Sequence, residues 1–167
     1  MASFKISNGG PDREPIIDAI HRLYLGIDAN DLELFTSGFT EDAEVDLSNV
    51  NMGGQPMTTL KGLQEDLVPK IFNFLGPFGT SHATTTIRVD KQSADLAVVT
   101  YLIVAQHWKP SDTVHPVLPI YYTMSNRYAS TVVRINGDVW KVKKTVAESL
   151  WALGDPTVMG GLDLLAE

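Results

Sequence analysis

The sequence predicts an α+β domain. Apolar residues recur at helical spacing in the first forty or so positions, from His82 onward the chain runs in long strand-like segments joined by tight turns, and one more helical segment follows the first strand. Helices first, then consecutive antiparallel strands with one inserted helix, is an α+β order. A strongly curved sheet wrapped on helices makes a cone with a hollow, and such hollows are default ligand sites.

The first helix is expected in "PDREPIIDAIHRLYLGID", with Asp12 as cap and Pro15 in the first turn. Ile16, Ala19, Ile20, Leu23 and Ile27 form its apolar stripe. "ANDLELFTSGF" reads as a short second helix, capped by Asn30 or Asp31 and ended near Gly38. "EDAEVDLSNV" alternates, with Ala43, Val45 and Leu47 on one side, so it reads as the first strand. "NMGGQPMTT" is a loop, and a third helix is expected from Leu60 to Leu75, kinked or offset at Pro69.

Three long strands follow. His82–Asp90 leads to a turn at Lys91-Gln92-Ser93, and Asp95–Lys109 is apolar on both faces, as in a strand covered on both sides. In Leu118–Ile135, period two puts Ile120, Tyr122, Met124, Asn126, Tyr128 and Val132 on one face, and Thr123, Ser125, Arg127 and Thr131 on the other. "INGD" at Ile135–Asp138 is a hairpin turn. Val139–Leu150 is the last strand, with Trp140, Val142 and Val146 inward. Residues 1–10 and 155–167 read as irregular tails on one domain spanning 1–167, the second with a weak apolar end at Leu162, Leu164 and Leu165.

A chain of 167 residues buries roughly 70% of its unfolded surface, enough for a core without staples. There is no cysteine, which excludes disulfides, thiolate zinc sites and a cysteine nucleophile. The start, "MASFKISNGGPDREP", has no apolar signal region, and no apolar run is long enough to cross a bilayer. A soluble cytoplasmic protein is expected. The net charge of −7, without a basic cluster interleaved with aromatics, argues against nucleic acid. Gly53-Gly54 and Gly160-Gly161 lack the context of a phosphate loop, so no nucleotide cofactor is expected. No histidine pair has close metal-ligand spacing, and no metal is expected.

Polar residues on inward faces are the informative ones. Asn126 and Tyr128 share a face with Met124; each either bonds nearby backbone or meets a ligand. His107 shares a face with Tyr101, Ile103 and Ala105, and as a strand-end residue beside Trp108 it could equally reach solvent. Asp28 lies four residues past Tyr24 at the margin of the helical stripe, where capping the next helix is the competing role. His82 stands where a Gly/Pro loop becomes a strand. His21, His115 and Glu148 read as incidental.

The segments "YLGIDANDLELFTSGFTEDAEVDLS", "GTSHATTTIRVDKQSADLAVVTYLIVAQH" and "RINGDVWKV", in that order, resemble the SnoaL-like branch of the NTF2-like superfamily, nearest to its scytalone dehydratase-like proteins. The resemblance covers roughly Pro15 to Trp151. It implies a cone of curved antiparallel sheet on three helices with the active site inside and no cofactor. It implies that His82 is the catalytic histidine, that Asp28 orients it, that His107 is the second histidine, and that Asn126 and Tyr128 are site residues of a later strand. Two site tyrosines of scytalone dehydratase would fall at Ile27 and Leu47, which cannot hydrogen-bond through their side chains. A more apolar substrate follows, with Tyr24, Tyr101 or Tyr128 as a substitute phenol and Met124 as a further substrate contact.

A histidine near neutral pKa can take a proton from carbon beside a carbonyl, and a carboxylate on its other nitrogen fixes the tautomer. His107 could then protonate a leaving group, and Asn126 could donate to the oxyanion. The first expectation is a cofactor-independent dehydratase, isomerase or cyclase acting on a small, cyclic, polyketide- or terpenoid-type substrate. The second is a non-catalytic ligand-binding or oligomerisation module. Epoxide hydrolysis needs an Asp–Arg–Asp set, and Arg88, Arg127 and Arg134 read as outward. A homodimer, or next a trimer, is expected through the open sheet face.

Overall fold

The computed structural model describes residues 10–52, 55–109 and 121–159. His115, Leu118, Ile120 and the leucines at 162, 164 and 165 lie outside them. A 3₁₀ turn, Gly10–Asp12, opens into α1, Arg13–Asp28, followed by α2, Leu32–Ser37. The strands are β1, Phe39–Asn49; the short pair β2, Asn51–Met52, and β3, Gln55–Pro56; β4, Thr59–Lys61; β5, Gly79–Lys91; β6, Leu96–Trp108; β7, Tyr121–Asn136; and β8, Val139–Gly154. A third helix, α3, lies between β4 and β5, π-helical over Leu63–Phe72 and α-helical over Asn73–Leu75.

The main sheet has the order β4-β1-β8-β7-β6-β5. Its pairs are antiparallel except β1 with β8, which run parallel, so the expected wholly antiparallel sheet is corrected at one seam. α1 lays its predicted stripe on the sheet: Ile16, Ala19, Ile20, Leu23 and Ile27 are buried with Trp140, Val99 and Ile103. Burying each of these isoleucines and Leu23 contributes about 1.5–3 kcal/mol. Gly26 lets α1 meet α2 closely, for a Cβ there would stand 2.5 Å from the Phe35 nitrogen.

Several local expectations change. Asp12 makes no side-chain cap; it forms ion pairs with Lys91 and Arg134. α3 starts at Leu63, because Leu60 and its neighbours pair with β1 as a strand. Pro69 has no N–H and its ring crowds the carbonyl four residues back, which favours the wider i→i+5 pattern over a regular helix. The predicted "INGD" turn forms around Gly137, whose φ of 53° suits glycine. In β8 a bulge leaves Lys143 and Lys144 both exposed, so Thr145 and Ala147 face inward where Val146 was expected. On the other face of β7, Thr123 and Ser125 are buried. The outer face of β6 is only partly covered: Leu102 and Val104 are half-buried, and Thr100 and Gln106 are exposed. β8 runs on to Gly154, and a 3₁₀ turn at Pro156–Met159 buries Val158 and Met159 where an irregular tail was expected. No helix among the described residues is long and apolar enough to cross a membrane.

Candidate active site

Asp28 is the last residue of α1, where a carboxylate faces the negative end of the helix dipole. Three donors from β5 compensate. Thr80 Oγ1 donates to Oδ1 at 2.7 Å, the His82 backbone N–H to Oδ2 at 2.9 Å, and His82 Nδ1 lies 2.6 Å from Oδ1. Burial pushes the Asp28 carboxyl up, but the hydrogen bond and charge of His82, with the other donors, outweigh it and hold it below the usual carboxylate value. Capping of α2 falls to Asp31, which accepts from the Leu34 N–H.

With Nδ1–H given to the carboxylate, His82 keeps a lone pair on Nε2. The His82 side chain is 6% exposed and lines an internal cavity. His107 sits diagonally across the sheet: His82 pairs with Ala105, and Thr80 with His107. The two imidazoles meet edge to face, centroids 5.7 Å apart. His107 is 2% exposed, so the solvent-reaching alternative is excluded. Its Nδ1 bonds the Tyr122 carbonyl at 3.3 Å; a carbonyl only accepts, so Nδ1 carries the hydrogen and Nε2 is bare. Burial, and then the charge of His82, push its pKa down to about 4.

β7 supplies the next wall. Tyr128 pairs with Tyr101 across the sheet and the rings stack, 5.3 Å apart and 5° from parallel. Asn126 Nδ2 donates to Tyr128 Oη at 3.2 Å, while the buried Asn126 Oδ1 has no hydrogen-bond partner among the described residues. Tyr24, one turn before Asp28 on α1, lies 5.3 Å from the His82 ring and its hydroxyl is 3.3 Å from that of Tyr101. Tyr101 continues to Ser130 at 2.9 Å, and Ser130 to Thr145 at 2.8 Å. Burial raises the pKa of all three phenols, to about 12 for Tyr101, so they stay protonated.

The cavity has a volume of about 110 Å³ and opens to solvent at its mouth. His82, His107, Met124, Asn126, Tyr128 and Tyr24 line it, so six of the eight expected site residues share one wall system. Asp28 stands behind His82, and Tyr101 behind Tyr128. Ile27 and Leu47 also line it, which makes the hollow apolar where two tyrosines would otherwise stand. Thr80, Thr145 and Lys70 were not singled out from the sequence. Thr80 has the strand parity of His82 and could have been found by it; Thr145 is hidden by the bulge, and Lys70 reads as half of a surface Asp66–Lys70 pair. Glu148 is exposed and paired with Arg127, and Arg134 is tied to Asp12 and Asp95, so neither arginine reaches the cavity. Among the described residues no three His, Asp or Glu side chains are grouped to hold a metal.

The chain belongs to the SnoaL-like domain family, whose model matches residues 11–146. It is 27% identical over 150 residues to terrestric acid biosynthesis cluster protein E of Penicillium crustosum, covering 89% of this chain and 90% of that protein. Among solved structures it resembles a provisionally assigned scytalone dehydratase from Novosphingobium aromaticivorans, with a TM-score of 0.68, 23% identity and 86% of this chain covering 87% of that one. The hexachlorocyclohexane dehydrochlorinase LinA-type3 of Novosphingobium barchaimii gives a TM-score of 0.64 at 20% identity, 86% of this chain covering 89% of that one. At these identities the two structures share the fold, which is the NTF2-like cone expected from the sequence.

Proposed function

We propose that the protein is a cofactor-independent lyase or isomerase that moves a proton on a small, largely apolar, cyclic substrate of polyketide or terpenoid type. The observation that carries this is the Asp28–His82 contact of 2.6 Å at the wall of an apolar cavity. His82 Nε2 takes a proton from carbon beside a carbonyl, and the electron pair passes to the carbonyl oxygen as an enolate. In a dehydration the enolate reforms the carbonyl, expels the β-hydroxyl, and the His82 imidazolium returns its proton to that oxygen as water leaves. In an isomerisation the same proton returns to another carbon. Either route restores the base.

Asp28 stabilises the imidazolium and is a positioning residue. Tyr128 accepts from Asn126, so its own hydrogen is available to the enolate oxygen; the donor part expected of Asn126 is relayed through the phenol. Asn126 Oδ1 accepts from a substrate hydroxyl. His107 is assigned a different part from the acid expected of it, since a neutral ring with bare Nε2 accepts a hydrogen bond and does not give one. The names of the Penicillium relative and of the two structural neighbours support chemistry of this kind.

The test is deuterium incorporation. A panel of β-hydroxy and β,γ-unsaturated cyclic ketones is incubated in D2O with the wild type and with His82→Gln. Exchange or elimination that depends on His82 is expected. Ligand binding without His82-dependent exchange on any member leaves the non-catalytic binding module instead.

A further inference from the structure

The geometry points to an anion subsite at Lys70, so that the ligand of the cavity is an organic oxyanion, such as a carboxylate or acidic enol, carried on an apolar ring-sized body. This rests on the cavity being the substrate site proposed above. Among the described lining residues Lys70 supplies the one ammonium or guanidinium, and no carboxylate lines the hollow. Of the other polar lining groups His82, His107, Asn126 and Tyr128 stand on the sheet and Tyr24 on α1; Lys70 comes from α3, beside Ile71 and Phe74.

The π-helical stretch explains why a lysine reaches the hollow. Leu63 and Leu67 are buried four apart and Phe72 five further on, and the widened turn between them carries Lys70 and Ile71 onto the cavity wall. The side chain lines the cavity and is 35% exposed, so it stands between the hollow and solvent, an arrangement that suits a long stem with a charged end. Asp66 Oδ1 holds it at 3.1 Å, while Asp66 Oδ2 accepts the Lys61 backbone N–H at 2.8 Å. The carboxylate is thereby fixed and sets the position of the lysine. An ammonium offers three donors, so one ion pair leaves others for a ligand. A charge at the edge of an apolar hollow acts through a lower dielectric than water and attracts an anion accordingly.

The experiment compares 2-naphthoate with its neutral isostere 2-naphthamide by fluorescence titration at neutral pH. The wild type is expected to prefer naphthoate by about tenfold, the worth of one charge-assisted hydrogen bond. Lys70→Gln keeps the stem and should lose that preference with naphthamide binding unchanged; Lys70→Arg should retain it. The two probes should compete for one cavity. Equal affinities in the wild type, equal losses of both probes in Lys70→Gln, non-competitive binding, or no naphthoate binding each overturn the inference. A naphthoate preference without His82-dependent deuterium exchange removes the catalytic reading and leaves the anion subsite; exchange without the preference does the reverse.

Discussion

His82 and His107 face each other edge to face at 5.7 Å, yet one is tied to a carboxylate and the other to a backbone carbonyl. The partner decides what each ring can do. Beside Asp28 a positive charge is supported. At His107 burial and the charge of His82 oppose a positive charge, and they outweigh the Tyr122 carbonyl and the more distant Asp28, which favour it.

His82→Gln should abolish proton abstraction and leave the fold. A positioned general base contributes typically ~10²–10⁴-fold, so kcat/KM on any accepted ketone should fall by that order. Thermal melting within a few degrees of wild type is expected alongside.

Asp28→Asn keeps the shape and removes the charge. Turnover should fall by about 10²-fold or more, because the ring loses the carboxylate that fixes its tautomer. The same variant tests linkage. The Asp28 pKa is lowered on folding, so its contribution to stability is present above the ordinary carboxyl value near 3.9 and is lost as pH falls through the lower folded value. Other carboxyls, Asp12 and Asp66 among them, are lowered as well, so urea titrations should show a smaller acid loss in Asp28→Asn than in the wild type.

His107 gives a second loss on acidification, in a higher pH window. Its pKa falls from an unfolded value of about 6.5 to about 4 in the fold. Between those values the unfolded chain binds the extra proton, so stability drops as pH is lowered through that interval and levels off below it. The total is of order 3 kcal/mol. His107→Asn, whose amide N–H can still serve the Tyr122 carbonyl, should remove this slope in urea titrations at successive pH values.

Gly26→Ala tests helix packing. Alanine is the better helix former by about 1 kcal/mol. Its Cβ would press on the Phe35 backbone at 2.5 Å, and overpacking of this kind costs about 1–3 kcal/mol. A lowered melting temperature is expected in spite of propensity.

Local periodicity carried most of the fold. The stripe from Ile16 to Ile27 and the turn at Gly137 stand where spacing and turn chemistry placed them. Strand parity likewise put His107, Asn126 and Tyr128 on one face. Parity fails at a bulge, which is why Thr145 was hidden behind Val146. The parallel seam between β1 and β8 joins segments about a hundred residues apart, and no local signal encodes such a pairing. Leu60 fits a helical stripe as well as a strand; its partner Val45 makes the choice. The apolar run of β6 suggested a covered outer face because composition does not distinguish half-burial from full burial.

The contact between Asp28 and His82 spans two elements of unequal firmness. One is the final turn of a helix; the other is β5, which among the described residues ends the sheet and has a neighbour on one side only. Helix ends fray and rim strands open at lower free energy than the sheet's interior. Heat should therefore silence the protein in two stages. The base comes loose first, while β7 and β8 still hold, so inactivation runs ahead of melting and is regained on cooling.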